Sequence, residues 1–323
     1  MVQSILWVFF GIAMTGLLAV LVNSPGTPEP LRDGQGDVIP GTPLLQFISY
    51  LEGEERLEKY FTVCYWDQRG AGMTYTGSTD PGTMTVEQMV EDTRVVTEYL
   101  KERFGRDKIY RLGHSWGSYL GVKVIEKYPE DYLAYIGVGQ VSDQTESERL
   151  AYAYMLERAR DEGDGDVIEK LGRFDPVAED FPSLEYLVKA RTGILNRYGV
   201  GHLHQGLTFR DILKTFFVFK GYTLREKVNW FRGADFSMIH LFPVLLDDDL
   251  FASSAAFDVP FYVVQGKYDF QVSRVLAEEY LNAVTAPKKG FYECAHSAHS
   301  PNMEEPEVFI GILREIAREN PGA

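Results

Sequence analysis

The sequence predicts an α/β fold built around a mostly parallel, doubly wound sheet. Predicted strands alternate with predicted helices over residues 61–140 and again after residue 255, which is the pattern of a parallel sheet covered by helices. Between these two parts, residues 141–254 turn helical, with Tyr, Leu and Phe at helical spacing. A G-x-S-x-G pentapeptide, residues 113–117, stands between a strand and a helix of the first part. The hydrophobic content of 45% supports a packed core.

Local patterns predict the individual elements. Residues 85–104 are predicted as a helix because Thr85 and Gln88 have the spacing of a capping box and apolar residues recur at helical intervals. Residues 108–112 read as a strand before the pentapeptide, and residues 118–127 as a helix after it. Further strands are predicted at residues 61–66, 134–138, 261–265 and 290–294.

The pentapeptide predicts that Ser115 is a nucleophile on a sharp strand-to-helix turn. Such a turn exposes the serine hydroxyl and directs the next backbone N–H at the reacting oxygen. Gly113 and Gly117 flank the serine because a side chain there would collide with the neighbouring strand and helix. The alternative is a glycine-rich turn that carries an inert serine.

An activated serine needs a base and a group that orients the base. After such a turn, the acid comes first along the chain and the histidine second. Asp269 lies just past the strand at 261–265, and His296 and His299 lie in the loop after the last strand. Loops beyond strand ends are where open α/β sheets place their sites. The alternative for Asp269 is an ordinary turn aspartate.

Three segments make the sequence resemble the serine α/β-hydrolases, in particular the prolyl-aminopeptidase-like, or proline iminopeptidase, branch. They are residues 65–72 (Y-W-D-Q-R-G-A-G), the serine pentapeptide, and residues 299–306 (H-S-P-N-M-E-E-P). The resemblance covers about residue 40 to the C-terminus, and it implies Ser115 as nucleophile, Asp269 as orienting acid and His299 as base.

The resemblance also selects between the two histidines and implies a mechanism. The family's histidine stands five residues before a glutamate and seven before a proline, and Glu304 and Pro306 fit that register for His299 but not for His296. The implied chemistry is two-step acyl transfer on an ester or amide, with the backbone N–H of Trp116 as one oxyanion donor. Hydrolases of this fold insert a helical cap over the site, and residues 141–254 occupy that place.

The region before residue 60 departs from the family's pattern. Members carry an H-G-G-P-G loop that supplies the second oxyanion donor, and this chain has only two partial matches, residues 23–28 (N-S-P-G-T-P) and 38–43 (V-I-P-G-T-P). The second match is followed by an amphipathic stretch and a strand, as expected, so Gly41 is the candidate donor. The family's first edge strands have no counterpart between residues 23 and 40. A missing donor lowers the rate by about 10²–10³.

The N-terminal residues 5–22 form an apolar run of eighteen residues without a charge. This length predicts a transmembrane helix, and an uncleaved anchor is favoured over a secretory signal because residues 1–4 lack Lys and Arg and no A-x-A site follows. A buried core helix is the third interpretation. The predicted domains are an anchor or signal segment (1–22), a Pro- and Gly-rich linker (23–39), a hydrolase core (40–140 and 255–323) and a helical cap (141–254).

The charge of the chain excludes some partners. The net charge of −15 argues against nucleic acids and anionic membrane surfaces. The acidic runs at 161–166 and 247–249 are predicted as solvated loops rather than metal sites, and His202 and His204 lack further ligands nearby for zinc. Two cysteines make no disulfide framework. No motif indicates a nucleotide, flavin or metal cofactor, and the expected partner is a small-molecule or short-peptide substrate.

Two functional classes remain open on the sequence. The first is a serine hydrolase, either an esterase or an aminopeptidase for N-terminal proline or small residues. Aminopeptidases of this branch use cap carboxylates to hold the substrate's amino group, and Glu146 and Glu148 lie near the start of the predicted cap. The second is a hydrolase-like protein that only binds a ligand or is tethered to a membrane, because the oxyanion motif is incomplete. An aspartate-nucleophile mechanism is disfavoured because the turn carries serine.

Overall fold

A six-stranded sheet organises the part of the chain that the structure describes. The computed structural model describes residues 18–22, 57–205, 209–219 and 223–322. The strands are β1 Leu18–Val22, β2 Thr62–Cys64, β3 Ile109–His114, β4 Tyr132–Val138, β5 Phe261–Gly266 and β6 Lys289–Cys294. Their order across the sheet is β2-β1-β3-β4-β5-β6.

Strands β3 to β6 run parallel to one another, so the predicted α/β fold with a mostly parallel sheet is confirmed. In the register of these strands, Gly113 lies opposite Gly137, and Val138 lies opposite Val264. The carboxyl ends of parallel strands lie at the same edge of a sheet. The loops that follow β3, β4, β5 and β6 therefore meet at one edge, which is where the candidate site lies.

Strand β1 differs from the expectation for the N-terminal apolar run. Residues 18–22, the end of that run, pair antiparallel with both β2 and β3 instead of ending a helix. A short run of Leu, Ala and Val suits a buried strand as well as a helix, and periodicity alone does not distinguish the two. Residues 1–17, the predicted linker 23–39 and Gly41 lie outside the described residues, so the anchor stays a prediction. None of the described helices has the length and hydrophobicity needed to cross a membrane.

Twelve α-helices lie in the described residues. They are α1 Val86–Phe104, α2 Trp116–Lys127, α3 Gln144–Glu162, α4 Gly165–Leu171, α5 Leu184–Tyr186, α6 Thr192–Arg197, α7 Phe209–Val218, α8 Leu224–Asp247, α9 Leu250–Ser253, α10 Arg274–Ala283, α11 Pro301–Glu304 and α12 Pro306–Glu319. A π-helical turn, Leu187–Arg191, joins α5 to α6. Short 3₁₀ turns lie at Leu57–Lys59, Gly72–Thr74, Pro81–Thr83 and Pro129–Asp131.

Helix α1 shows how the sequence directs these elements. The Thr85 hydroxyl accepts the backbone N–H of Gln88 at 3.2 Å, so the predicted N-cap forms. The helix ends at Gly105, whose φ of 61° lies in the left-handed region that glycine tolerates. The buried face of α1 includes Met89, Val90 and Leu100, which pack on the sheet.

Most of the described chain between β4 and β5 is helical. Helices α3 to α9 all lie between these two strands. Helix α8 packs against the loop after β2, where the Ser237 hydroxyl donates to the Gly70 carbonyl at 3.0 Å. We call the segment between β4 and β5 the insertion; its helices lie within residues 141–254, where the sequence predicts a helical cap. The division of the chain into a hydrolase core and a cap stays a prediction.

Two hydrophobic clusters cover the two faces of the sheet. Alternate residues of a strand point to opposite faces. Accordingly, Ile109 and Val263 belong to the cluster beneath α1 and α2, whereas Tyr110, Leu112 and Tyr262 belong to the cluster beneath α12. The central strands β3, β4 and β5 are thus buried on both faces.

Candidate active site

Ser115 lies on the sharp turn that the sequence predicts. It separates β3, which ends at His114, from α2, which begins at Trp116, and its φ and ψ are 56° and −122°. Among the described residues, Ser115 is the one non-glycine residue with a positive φ. A Cβ atom on Gly113 would stand 2.1 Å from the Gly117 carbonyl oxygen, so this turn requires glycine there. Such strain at a single residue is typical of a nucleophile elbow.

Backbone and hydroxyl hydrogen bonds hold the elbow against the end of β4. The Ser115 N–H donates to the Val138 carbonyl at 2.8 Å. The Ser118 hydroxyl donates to the Ser115 carbonyl at 2.6 Å and accepts the Val141 N–H at 2.9 Å. The serine is 5% exposed, so the hydroxyl lies in an enclosed site rather than on an open surface.

Asp269 follows β5 and is surrounded by donors. Its Oδ1 accepts the backbone N–H groups of Gln271 and Val272, both at 2.9 Å. Its Oδ2 accepts the side-chain amide of Gln265 at 2.8 Å and Nδ1–H of His299 at 2.8 Å. Four donors on two oxygens orient the carboxylate completely, which a turn aspartate would not need.

His299 and Asp269 form a buried pair in which the imidazole is neutral. Burial lowers the pKa of His299, and the positive charge of Arg191 lowers it further. Burial raises the pKa of Asp269, while the backbone N–H groups of Val272 and Gln271 oppose that rise. Because the carboxylate accepts at Nδ1, the network assigns the imidazole proton to Nδ1. Nε2 is then the basic nitrogen, and within the described part of the chain it has no hydrogen-bond partner although it is buried.

His114 and Gly201 fix the main chain of the catalytic-histidine candidate. The ring Nε2–H of His114 donates to the His299 carbonyl at 2.7 Å, and the two rings lie 4.6 Å apart. Burial lowers the pKa of His114 to about 3, so this ring stays neutral and its Nε2 proton is available for the bond. The His299 N–H donates to the Gly201 carbonyl at 3.2 Å. His299 is therefore held at both of its backbone polar groups.

Gly139 packs directly against the imidazole, and no motif in the sequence marks it. Its φ is 56°, and a Cβ atom at this position would lie 2.7 Å from Cε1 of His299. The residue follows β4, where the chain passes beneath the pair of Asp269 and His299. Its position just beyond a strand end was the available signal, although glycines in turns are common.

The D-Q-R-G segment connects the elbow to α1. The indole N–H of Trp116 donates to the Gln68 side-chain oxygen at 3.1 Å. Arg69 makes two hydrogen bonds of 2.7 Å with Asp92 of α1. This segment thus supports the residue whose backbone N–H is the predicted oxyanion donor.

The remaining predicted residues fall in different places. His296 is exposed, and its backbone N–H donates to Glu305 at 2.8 Å, so the structure brings His299 and not His296 to Asp269. Glu146 is a partly exposed residue 3.3 Å from Arg149. Glu148 is fully buried, and its carboxylate contacts Arg191 at 2.7 Å. In the part of the chain that is described, no group of three or more His, Cys, Asp or Glu residues could hold a metal ion.

Comparisons with known proteins identify the family. Residues 55–156 match the family described as serine aminopeptidase, S33. The chain is 31% identical over 281 residues to the "Probable aminopeptidase YbaC" of Bacillus subtilis (strain 168), a match that covers 86% of each protein. The chain belongs to the serine aminopeptidase S33 family of α/β-hydrolases. The predicted resemblance to the prolyl-aminopeptidase-like branch of α/β-hydrolases is confirmed, and this member of the S33 family is a hydrolase.

Solved structures show the same fold at low sequence identity. A proline iminopeptidase of Mycobacterium smegmatis is 15% identical, with a TM-score of 0.57 over 87% of each chain. An epoxide hydrolase of Bacillus megaterium is 17% identical, with a TM-score of 0.51 over 94% of this chain and 98% of that one. The TM-scores show a shared fold at these low identities, and the chemistry has to be argued from the chain's own site.

Proposed function

We propose that the protein is a serine hydrolase that cleaves an ester or amide through a covalent acyl-enzyme. The observation that carries this proposal is the constellation at the edge of the sheet. Ser115 stands on a strained elbow, and His299 is bound to Asp269 through Nδ1, while its Nε2 has no hydrogen-bond partner among the described residues. An elbow serine and a base that is oriented by an acid are the groups that serine-based acyl transfer requires.

Each residue then has a defined role in the reaction. His299 Nε2 takes the hydroxyl proton as Ser115 attacks the carbonyl carbon, and the same proton goes to the leaving amine or alcohol. Asp269 keeps the imidazole in the required tautomer and stabilises its cation. The Trp116 N–H, at the start of α2, stabilises the oxyanion. Water then attacks the acyl-enzyme with His299 as base, which releases the acid and restores the serine.

The substrate class we propose is a short peptide or amide with a free N-terminal proline or small residue. The named function of the relative YbaC, a probable aminopeptidase, supports this choice over an N-blocked ester. The cap carboxylate for the substrate amine remains unassigned, because Glu148 is engaged with Arg191. Gly41 remains the predicted source of the second oxyanion donor. The alternative function, a ligand-binding protein with an impaired site, follows if that donor is missing.

Labelling by a fluorophosphonate probe tests the nucleophile and base. The purified protein, Ser115→Ala, His299→Ala and the control His296→Ala are treated with the probe at equal concentration. We expect rapid labelling of the wild type and of His296→Ala, and none of the other two variants. Absence of labelling in folded wild-type protein contradicts the proposal and favours the impaired, ligand-binding alternative.

A matched pair of chromogenic substrates tests the substrate class. Prolyl p-nitroanilide and its N-acetyl derivative have the same scissile amide and differ in the free amine. An aminopeptidase cleaves the first at least about tenfold faster, because one charge-assisted hydrogen bond contributes roughly 1.5–3 kcal/mol. Equal rates on the two amides, together with faster cleavage of p-nitrophenyl acetate, would show an esterase instead.

A further inference from the structure

A buried ion pair joins two helical elements of the insertion. Arg191, at the end of the π-helical turn, is 1% exposed and Glu148 of α3 is fully buried. The guanidinium contacts both carboxylate oxygens, Nε to Oε2 at 2.8 Å and the terminal nitrogen to Oε1 at 2.7 Å. Gln144, one turn earlier on α3, donates its amide to the same carboxylate at 2.9 Å. The negative charge of Glu148 is thus neutralised in place.

The other side of the same guanidinium binds the loop that carries Asp269. Arg191 donates to the Gln271 side-chain oxygen at 2.8 Å and to the Gln271 carbonyl at 2.8 Å. The N–H of Gln271, in turn, donates to Asp269 Oδ1 at 2.9 Å. Arg191 thus binds the side-chain oxygen and the carbonyl of Gln271, and the backbone N–H of the same residue binds Asp269.

This arrangement suits arginine in a way that lysine would not match. The planar guanidinium has five donors in a rigid fork, so it can bind the carboxylate and both Gln271 oxygens at once. A buried ion pair adds little net stability, because the cost of removing the charges from water offsets their attraction. The geometry therefore indicates a role in orientation more than in stability.

We propose that Arg191 is a positioning residue for catalysis, which holds the Gln271 main chain and thereby aligns the Asp269 carboxylate with His299. The proposal rests on the proposed serine-hydrolase function. Its consequence is that the helical insertion takes part in the chemistry through the orientation of the acid, and not only by covering the substrate.

Two variants separate the orientation from the charge. Arg191→Lys keeps a cation for Glu148 and loses the fork to Gln271. The double variant Arg191→Gln with Glu148→Gln removes the fork without leaving an unpaired buried charge. Asp248→Asn is the matched control, since Asp248 links the insertion to α2 through Tyr119 and Lys123, both at 2.8 Å, away from the Asp269 loop.

Steady-state kinetics on the best chromogenic substrate give the first readout. We expect kcat to fall about 10- to 100-fold in both Arg191 variants with KM changed less than about threefold, because misalignment by about an ångström can cost about 100-fold in rate. Asp248→Asn should keep kcat within about threefold. Wild-type kcat in both Arg191 variants, with thermal unfolding confirming the fold, overturns the proposal.

The pH profile gives a readout that a purely structural role would not move. The groups that face His299 are Asp269, Arg191 and two buried histidines, His114 and His202. The double variant removes both charges of the pair, and of these the Arg191 cation is the one that lowers the pKa of His299, so the acidic limb of kcat/KM should move to higher pH. Arg191→Lys keeps the charge, and its limb should stay in place while kcat falls. A lower kcat that accompanies only a lower unfolding temperature, with no such difference, contradicts the proposal.

A spectroscopic measurement distinguishes failure of this proposal from failure of the proposed function. In protein labelled with ¹⁵N-histidine, the His299 Nδ1 proton bound to Asp269 gives a low-field resonance whether or not the protein turns over substrate. We expect this resonance in the wild type and its shift or loss in both Arg191 variants. An inactive wild type with this pattern refutes the hydrolase function alone, and an unchanged resonance in the variants refutes the positioning role.

Discussion

The direction of the hydrogen bonds around Asp269 determines which nitrogen of His299 carries the proton. Its carboxylate accepts from two backbone N–H groups, from Gln265 and from His299. Since every neighbour donates, the one arrangement that satisfies all of them keeps the proton on Nδ1 of His299. Nε2 is then left as a basic nitrogen in a buried site. The protonation state of the base therefore follows from a count of donors around the acid.

The pH dependence of kcat/KM follows from the same pair. His299 acts as a base only when neutral, and burial lowers its pKa below the ordinary value. The neutral form therefore persists at lower pH than for an exposed histidine, and activity is lost only as pH falls through the lowered pKa. We expect the acidic inflection of kcat/KM clearly below about 6.5, the ordinary histidine value. An inflection at or above that value would contradict the neutral, buried base.

Gly139→Ala tests the contact between the main chain and the imidazole. The added methyl would stand 2.7 Å from His299 Cε1, so the ring must move away from its bond with Asp269. We expect kcat/KM to fall at least about 100-fold, since displacements of about an ångström cost that much. The measurement is hydrolysis of the preferred chromogenic substrate, with thermal unfolding as a check of the fold.

The control for this substitution is Gly163→Ala. Gly163 also has a positive φ, 68°, but a Cβ there would have no atom of a non-adjacent described residue within 4 Å. Both alanines strain the backbone by about 1 kcal/mol or more, and only the one at Gly139 meets the imidazole. Equal activity of the two variants would show that the methyl does not displace His299.

At the scale of elements, the short helix α11 ties the histidine loop to the insertion. Glu304 accepts the backbone N–H groups of His204 and Gln205 on one oxygen, at 2.5 and 3.1 Å, and that of Ala298 on the other at 2.8 Å. The same insertion loop accepts His299 N–H at Gly201. Glu304 of the E-E-P motif therefore joins the histidine loop to a loop of the insertion, which explains why it follows the histidine so closely.

Glu304→Gln tests whether this side chain joins the two loops. The glutamine can offer an oxygen to only one side, and its NH₂ then faces an N–H donor, which leaves a buried donor unsatisfied. We expect a loss of about 1–3 kcal/mol in the free energy of unfolding, measured in urea, with a smaller change for the exposed Glu307→Gln in the same segment. Equal stability of the two variants would mean that Glu304 does not join the loops.

The candidate site shows how far the chain order alone can be used. The elbow could be predicted because a strand, two glycines and a helix are adjacent in sequence, and Asp269 and His299 because each follows a strand in the expected order. Gly139 also follows a strand end, but only its contact with His299 distinguishes it from other turn glycines, and nothing in the sequence marks Arg191. Arg191 meets Glu148 and Gln271 across 43 and 80 residues, and such contacts leave no local pattern.

At the scale of the whole molecule, β1 completes the sheet. It lies between β2 and β3 and pairs with both, with Val20 opposite Cys64 on one side and Arg111 on the other. Without it, β2 would be separated from the rest of the sheet and β3 would present an open edge. Residues 18–22, which the sequence places in a predicted membrane anchor, therefore form a central strand of the sheet in this structure.

Val20→Pro tests that role. Proline removes a backbone donor in the middle of a strand that is paired on both sides, so we expect a loss of about 3 kcal/mol or more in the free energy of unfolding and a lower soluble yield. Val20→Thr keeps the N–H and the β-branch and is the control. If the two variants unfold at the same urea concentration, residues 18–22 do not form a central strand. Fractionation of the full chain between membrane and soluble extracts tests the anchor separately.

The sequence by itself determined the class of sheet, the elbow and the residues that carry the proposed chemistry, because these follow from patterns between neighbours and from the order of strand ends. Only the tertiary structure decided that residues 18–22 form a strand, that Arg191 neutralises Glu148, and that Arg191 of the insertion binds the loop that carries Asp269. Each of these depends on burial and on hydrogen bonds between distant segments. The energy of such contacts exists only once the chain has brought the segments together.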